Sequence, residues 1–308
     1  MTKAALLIDT DPGVDDALAI LMAHHHARVA GLCVTAGNVG LAHTVRNALK
    51  LVDVVAADTP VFPGCARPLV LPADDAAFVH GADGFGDTGY MATRRQPEAE
   101  HAALALVRLA REHRGELTLV ALGPLTNLAL ALRLEPALPT LVARLVVMGG
   151  AVTGRGNTHR VPAEFNIGFD PEAAHVVFSE WPMFDLVDWE ATLRHGLDFA
   201  KVERWLAVDD ARARFFAAIS RRTREWTRGH GRPALMAADA LAMAVALEPG
   251  IATAVVERSA AIELNGALTR GATVVDWDGR LGQRPNARII GAVDPVRFEA
   301  LVAASLGA

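Results

Sequence analysis

Apolar and polar positions alternate between two textures along this chain. Short continuous apolar runs, Ala4 to Ile8, Gly31 to Thr35, Leu117 to Leu122 and Leu141 to Met148, have the length of buried strands. Between them, apolar residues recur at helical spacing: Asp15 to His24, Val45-Ala48-Leu49-Val52-Val55, His101 to His113, and a segment from Gly123-Pro124 to Leu134. Further on, Asp170-Pro171 reads as a helix start with Asp as N-cap, Trp181 to Trp189 as a strand region, and Asp209 to Arg228 and Ala234 to Leu247 as helices. Ala252 to Glu263 and Ala272 to Trp277 read as strands. Regular alternation of strand and helix predicts an α/β protein with a single open, mostly parallel sheet flanked by helices and a site at the C-terminal ends of the strands. No repeat, low-complexity tract or Pro/Ser-rich linker divides the chain, so residues 1–308 are expected to form one domain.

The first strand ends in acids. Asp9, Asp11, Asp15 and Asp16 place four carboxylates in eight residues, with Pro12-Gly13 forcing a turn between them. Like charges that close raise each other's pKa, and a bound cation is the usual remedy. An all-oxygen set favours Ca²⁺ or Mg²⁺ over zinc. A helix N-terminus decorated with acids would account for Asp15 or Asp16, but not for Asp9 and Asp11 as well. A second signal comes from the far end of the chain. Ala234 to Leu247 is almost wholly apolar yet contains Asp239, and a buried, unpaired carboxylate stays protonated or needs a cation.

Other polar groups sit where chains turn. Asn38 follows the second apolar run, and His80 opens a loop with three glycines, Gly81, Gly84 and Gly86. That loop is no phosphate cradle, because no Lys-Ser/Thr follows it. Glu164 and Asn166 alternate with Phe165, so on an extended stretch both face one way, beside a glycine-rich loop containing Asn157. Such convergence suits a polyhydroxyl ligand.

The stretch Asp-Thr-Asp-Pro-Gly-Val-Asp-Asp-Ala at Asp9 to Ala17 resembles the N-terminal signature of the inosine–uridine-preferring nucleoside hydrolases. Gly-Pro-Leu-Thr-Asn at Gly123 and Ala-Glu-Phe-Asn followed by Asp-Pro-Glu-Ala-Ala resemble further blocks of that family, and the likeness runs from Asp9 to about Asn286. The resemblance implies a Rossmann-like fold and calcium-dependent cleavage of ribonucleosides to base and ribose. It implies that Asp11, Asp16, Asp239 and the Leu122 carbonyl hold Ca²⁺ and that Asp11 is the general base. It implies that Asp15, Asn38, His80, Asn157, Glu164 and Asn166 contact the substrate, while Asp9 orients Asp11 or the metal from behind. It also implies a homodimer or homotetramer. The pattern breaks at Ala238, where relatives often have a His or Trp that helps the base to leave. Trp226, His230 and Arg222 are the nearby candidates to replace it.

Two other classes share parts of this pattern. A haloacid-dehalogenase-type phosphatase also opens on strand-Asp-x-Asp, but expects Thr or Val where Gly13 stands and a downstream Lys for the phosphate. A nucleoside- or ribose-binding protein without turnover is favoured only by Ala238. Composition narrows the partners. A net charge of −5 argues against a nucleic-acid surface, and no apolar run is long enough to span a membrane. Cys33 and Cys65 have no metal-ligand spacing, and no secretory leader is apparent, so a cytoplasmic location is expected. His24-His25-His26 is expected to be a solvated helix end rather than a ligand set, because consecutive helical residues diverge.

Overall fold

The computed structural model describes residues 5–72 and 75–308; Ala4 lies outside them. Strands β1 (Ala5–Thr10), β2 (Arg28–Val34), β3 (Val61–Pro63), β4 (Leu117–Ala121), β5 (Arg144–Met148) and β6 (Phe184–Val187) come first. They are followed by β7 (Leu197–Asp198), β8 (Ala234–Leu235), β9 (Ala252–Ile262), β10 (Thr273–Asp276) and β11 (Ala287–Val293). Nine of them form one sheet in the order β10-β9-β11-β6-β5-β4-β1-β2-β3, and β7 and β8 pair separately. From β3 through β11 all neighbours run parallel; β9 and β10 close one edge antiparallel.

Strand β1 is central, with β2 on one side and β4 on the other. The chain winds outward from β1 to β3 and then, from β4, in the opposite sense. In such doubly wound sheets the crevice outside the carboxyl ends of the two central strands is the natural ligand site. Alternation along β1 explains why both faces are covered. Leu6 and Ile8 enter one apolar layer with helices Val14–His26 and Ala238–Leu247, while Ala5 and Leu7 enter the other with Ala102–Glu112 and Thr126–Leu134. Helices Val14–His26 and Ala238–Leu247 pack against each other. The second is buried along almost its whole length, which its Ala-Leu-Ala-Met-Ala-Val sequence permits.

Several boundaries differ from the sequence expectation. Residues 234–235 are the β8 ladder, and the apolar helix begins only at Ala238. The Trp181–Trp189 region narrows to β6, because the Asp188 carboxylate accepts the Ala191 N–H and starts a new helix, Trp189–Arg194. Strand β11 and the C-terminal helix Pro295–Ser305 were not anticipated. The three histidines diverge: His24 bonds the Ile20 carbonyl and Thr59, His26 the Leu301 carbonyl, and His25 is exposed. No helix among the described residues is long and apolar enough to cross a membrane.

Candidate active site

The site grows out of the end of β1. Alternation sends Asp9 to one face, where Asn127 Nδ2 donates to its Oδ1 at 2.8 Å, and Thr10 to the other, where its hydroxyl donates to Asp16. Pro12-Gly13 then turns the chain into the first helix. Asp16, in that helix's first turn, reaches back to accept the N–H groups of Gly13 at 3.0 Å and Asp11 at 3.3 Å. One carboxylate thus ties strand end, turn and helix start together. Asn38, at the end of β2, donates its backbone N–H to Asp11 Oδ2 at 2.7 Å and its side-chain amide to Asp16 Oδ2 at 3.0 Å.

Asp11 fits only because two neighbours have no side chain. A Cβ on Gly37 would lie 2.1 Å from its Oδ2, and one on Gly123 would lie 2.4 Å from its Oδ1. The Gly-Pro turn after β4 therefore serves the acid of β1, across the sheet's switch point.

Asp239 arrives from the buried helix. Carboxylate oxygens of Asp15, Asp16 and Asp239 lie within 4.8 Å of one another. Among the described residues this is the one acidic group so placed. Asp11 lies outside that set of three, while Asp15, expected as a sugar contact, lies inside it. The electrostatics are severe. Burial raises the pKa of Asp239 well above the carboxylate range, and the charges of Asp15, Asp16 and Asp11 raise it further. Burial, then the charge of Asp16, does the same to Asp11. Asp15 is pushed to about 6 and Asp9 to about 7, each chiefly by burial. Asp9 Oδ2 is buried without a hydrogen-bond partner. Acids so crowded are stabilised as anions only by a positive charge.

These carboxylates form the floor of a cleft enclosing about 1080 Å³, open mouth included. Asp11, Asp15, Asn38, the Leu122 segment, Asn157, Glu164, Asn166 and Asp239 all line it, whereas Asp9 and Asp16 lie behind its surface. Glu164 and Asn166 are not extended, as their alternation suggested. Glu164 N-caps the short helix Phe165–Phe169, and its carboxylate takes the N–H groups of Gly150, Asn166 and Ile167 at 2.9, 3.0 and 3.2 Å. Capture of those donors outweighs the local period of two. Burial nevertheless pushes the Glu164 carboxyl up to about 7. Asn166 Nδ2 donates to the Leu122 carbonyl at 2.6 Å, which fixes that oxygen at the end of β4. Asn157 is exposed at the rim.

His80 ends a short helix, Ala77–His80, rather than lying in the glycine loop itself. Its Nδ1 accepts the Val14 N–H at 3.2 Å, and burial draws its pKa down to about 4 against the pull of Asp16, so the ring is neutral at pH 7. Above it, Phe78 and Trp226 meet edge to face, centroids 6.4 Å apart. Of the residues expected to compensate for Ala238, Trp226 lines the cleft and His230 and Arg222 do not. His230 stacks on Trp226 at 4.1 Å and is exposed, and Arg222 pairs with Asp87. Thr10 and Asn127, which sit inside the family-like stretches without an expected role there, and Arg232 also shape this site.

The architecture is shared with solved nucleoside hydrolases. An inosine-guanosine nucleoside hydrolase superposes with a TM-score of 0.93 at 32% identity, over 99% of each chain. A purine-preferring ribonucleoside hydrolase from Gardnerella vaginalis does so with a TM-score of 0.89 at 28% identity, over 98% of each. The non-specific ribonucleoside hydrolase RihC of Salmonella enteritidis is 36% identical over 300 residues, 97% of this chain and 96% of its own. The family profile described as inosine-uridine preferring nucleoside hydrolase matches residues 6–300. The fold and cleft thus define a nucleoside N-ribohydrolase. The chain belongs to the inosine-uridine preferring nucleoside hydrolase family, which sets the phosphatase reading aside.

Proposed function

We propose that the protein hydrolyses the N-glycosidic bond of ribonucleosides to free base and ribose, with Ca²⁺ as cofactor and Asp11 as general base. The observation that carries this reading is the convergence of Asp15, Asp16 and Asp239 beneath the cleft, next to Asp11. The donor set fits a hard divalent cation: it is all oxygen, buried, and too crowded with negative charge to be stable alone. Asp11, Asp16, Asp239 and the Leu122 carbonyl would hold the ion, and Asp15 is close enough to share it. When bound, Ca²⁺ supplies Lewis acidity, lowering the pKa of an adjacent water and orienting ribose hydroxyls.

The chain's own groups then act as follows. Asn38 holds Asp11 Oδ2 through its backbone N–H, so the carboxylate keeps one orientation. Asp11 takes the water's proton as the oxygen attacks the anomeric carbon from the face opposite the base. The sugar passes through an oxocarbenium-like state with inversion, as in one-step glycoside hydrolysis. Asn38, Asn157, Glu164 and Asn166 grip the ribose hydroxyls, and the negative field of the floor stabilises the developing cation. Asp9, braced by Asn127, sets the end of β1 from behind. In solution we expect a homodimer or homotetramer. Two buried free thiols, Cys33 and Cys65, suit the cytoplasm.

The test is reducing-sugar release from inosine, adenosine, guanosine, uridine and cytidine, with and without a chelator. Release that stops on chelation and returns with Ca²⁺ is expected. Release unaffected by chelation would remove the metal from the mechanism. Tight ribonucleoside binding with no release, in Ca²⁺, would favour a binding protein disabled at Ala238.

A further inference from the structure

The wall of the cleft that carries Phe78, Val79 and His80 is one continuous segment, and it is fastened to the floor at several points. Ala76 donates its N–H at 3.1 Å to the carbonyl of Asn38, the residue that holds Asp11. His80 Nδ1 accepts the Val14 N–H. A third tie lies deeper. Asn47 is fully buried on helix Leu41–Val54, and its Nδ2 donates both to the Pro12 carbonyl in the turn after β1 and to the Asp83 carbonyl just beyond His80, each at 2.9 Å. The amide serves both carbonyls only with Oδ1 turned away from them, and the Tyr90 hydroxyl fixes that orientation by donating to Oδ1. Burial pushes the Tyr90 phenol up to about 12, so it keeps the proton it donates. The ring is held in turn by Phe85, which is fully buried and packs against Tyr90 at 5.5 Å and against Phe215 at 5.8 Å between centroids. Gly84, at φ +80°, makes the fit possible, because a Cβ there would lie 2.8 Å from Asn47 Nδ2.

Building on the hydrolase reading, we propose that Asn47 and Tyr90 are positioning residues, a clasp that holds the wall formed by residues 76–83 at a fixed distance from the Pro12 turn and so sets how closely His80 meets a ribonucleoside seated on the floor. Neither side chain lines the cleft; both act through the carbonyls of Pro12 and Asp83. One buried amide thus couples the two sides of the site, so the wall moves only by breaking a bond to the turn that carries Asp11 and Asp16. The floor has supports of its own, in the backbone donors on Asp16 and the Asn38 N–H on Asp11. Loosening the clasp therefore displaces the wall before the floor. Contacts from the wall are made in the ground state as well as in the transition state, so their loss raises KM rather than lowering kcat. Without the Tyr90 hydroxyl, Oδ1 is left buried without a donor, and rotating the amide to find one takes Nδ2 off the two carbonyls.

Tyr90→Phe keeps the ring and its packing and removes only the hydroxyl. Assayed in Ca²⁺ on inosine, adenosine, guanosine, uridine and cytidine, it should raise KM roughly tenfold for each nucleoside that is cleaved, the effect of one hydrogen bond to a buried amide. Its kcat should stay within about twofold of wild type. Two double-mutant cycles locate the effect. Asn47→Ala removes both donors and the acceptor and should raise KM at least as much; adding Tyr90→Phe to it should change little, because the hydroxyl has already lost its partner. In a His80→Ala background, Tyr90→Phe should raise KM clearly less than it does in wild type, because the wall it positions has lost a contact. A Tyr90→Phe KM equal to that of wild type, or a full effect that persists in either background, would overturn the clasp while leaving the hydrolase reading intact. If Asn47→Ala does not fold, the His80 cycle decides alone. A wild type that releases sugar from none of the five nucleosides would sink the hydrolase reading, and the positioning role with it.

Discussion

The floor and the rim of the cleft are built on opposite principles. The floor is made of short, charged side chains on the ends of central elements: Asp11 and Asp16 around the β1 turn, and Asp239 on a buried helix. Asp16 is held by backbone donors and Asp11 is wedged between glycines, and burial makes all three costly. The rim is made of large, partly exposed side chains, Phe78, Trp226 and Arg232, carried by a short helix, a helix end and a turn. The difference teaches where each part of a hydrolase's work lies. Chemistry at the sugar needs charges that cannot relax, and only the sheet's centre provides them. Choice of base needs surface that can be exchanged without unfolding anything, and loops provide that.

Four changes would break or sharpen this contrast. Asp11→Asn should be the most damaging: turnover should fall by on the order of 1,000-fold, while circular dichroism and melting show an intact fold. Near-normal turnover with Ca²⁺ present would mean the base has been misassigned. Next, calcium should raise the melting temperature of the wild type, since a ligand that binds only the native state at about 100 times its Kd adds about 2.7 kcal/mol. Asp239→Asn should abolish that rise in a Ca²⁺ titration followed by differential scanning fluorimetry, and an unchanged rise would place the ion elsewhere. On the rim, Trp226→Ala should lower kcat/KM for nucleosides by roughly tenfold, the loss of one base-stacking surface, with Ca²⁺ affinity unaltered. If calcium binding fell as well, floor and rim would not be separable. Smallest of all, Arg222→Gln removes an exposed pair with Asp87 and should cost less than about 1 kcal/mol in chemical denaturation, with rates unchanged.

The two regions also differed in how far the sequence disclosed them. Asp9, Asp11, Asp15 and Asp16 are close in the chain, so their crowding needs no knowledge of the fold. Asp239 betrayed itself as a lone acid in an apolar helix, a contradiction that a burial argument alone exposes. The strand–helix alternation likewise sufficed for the α/β class and the mostly parallel sheet, whereas the central place of β1 emerged only in the structure. Glu164 shows the limit of local pattern. Its period-two setting suggested an extended segment, but three backbone donors, one of them Gly150 from a distant loop, drew it into a helix cap. Asn127, which braces Asp9, lay in a family-like block that gave it no role, and Arg232, which lines the cleft beside Ala238, had no local signature.

By itself, then, the sequence determined the α/β class, most of its elements and where negative charge concentrates, because periodicity and crowding act over a few residues. Only the tertiary structure decided that Asp15 joins Asp16 and Asp239, which glycines make room for Asp11, and which cation lines the cleft. Those outcomes depend on how far β4, helix Ala238–Leu247 and the turn at Gly231 are brought toward β1. That distance is set by packing of the two apolar layers on the sheet, which no short window of sequence contains.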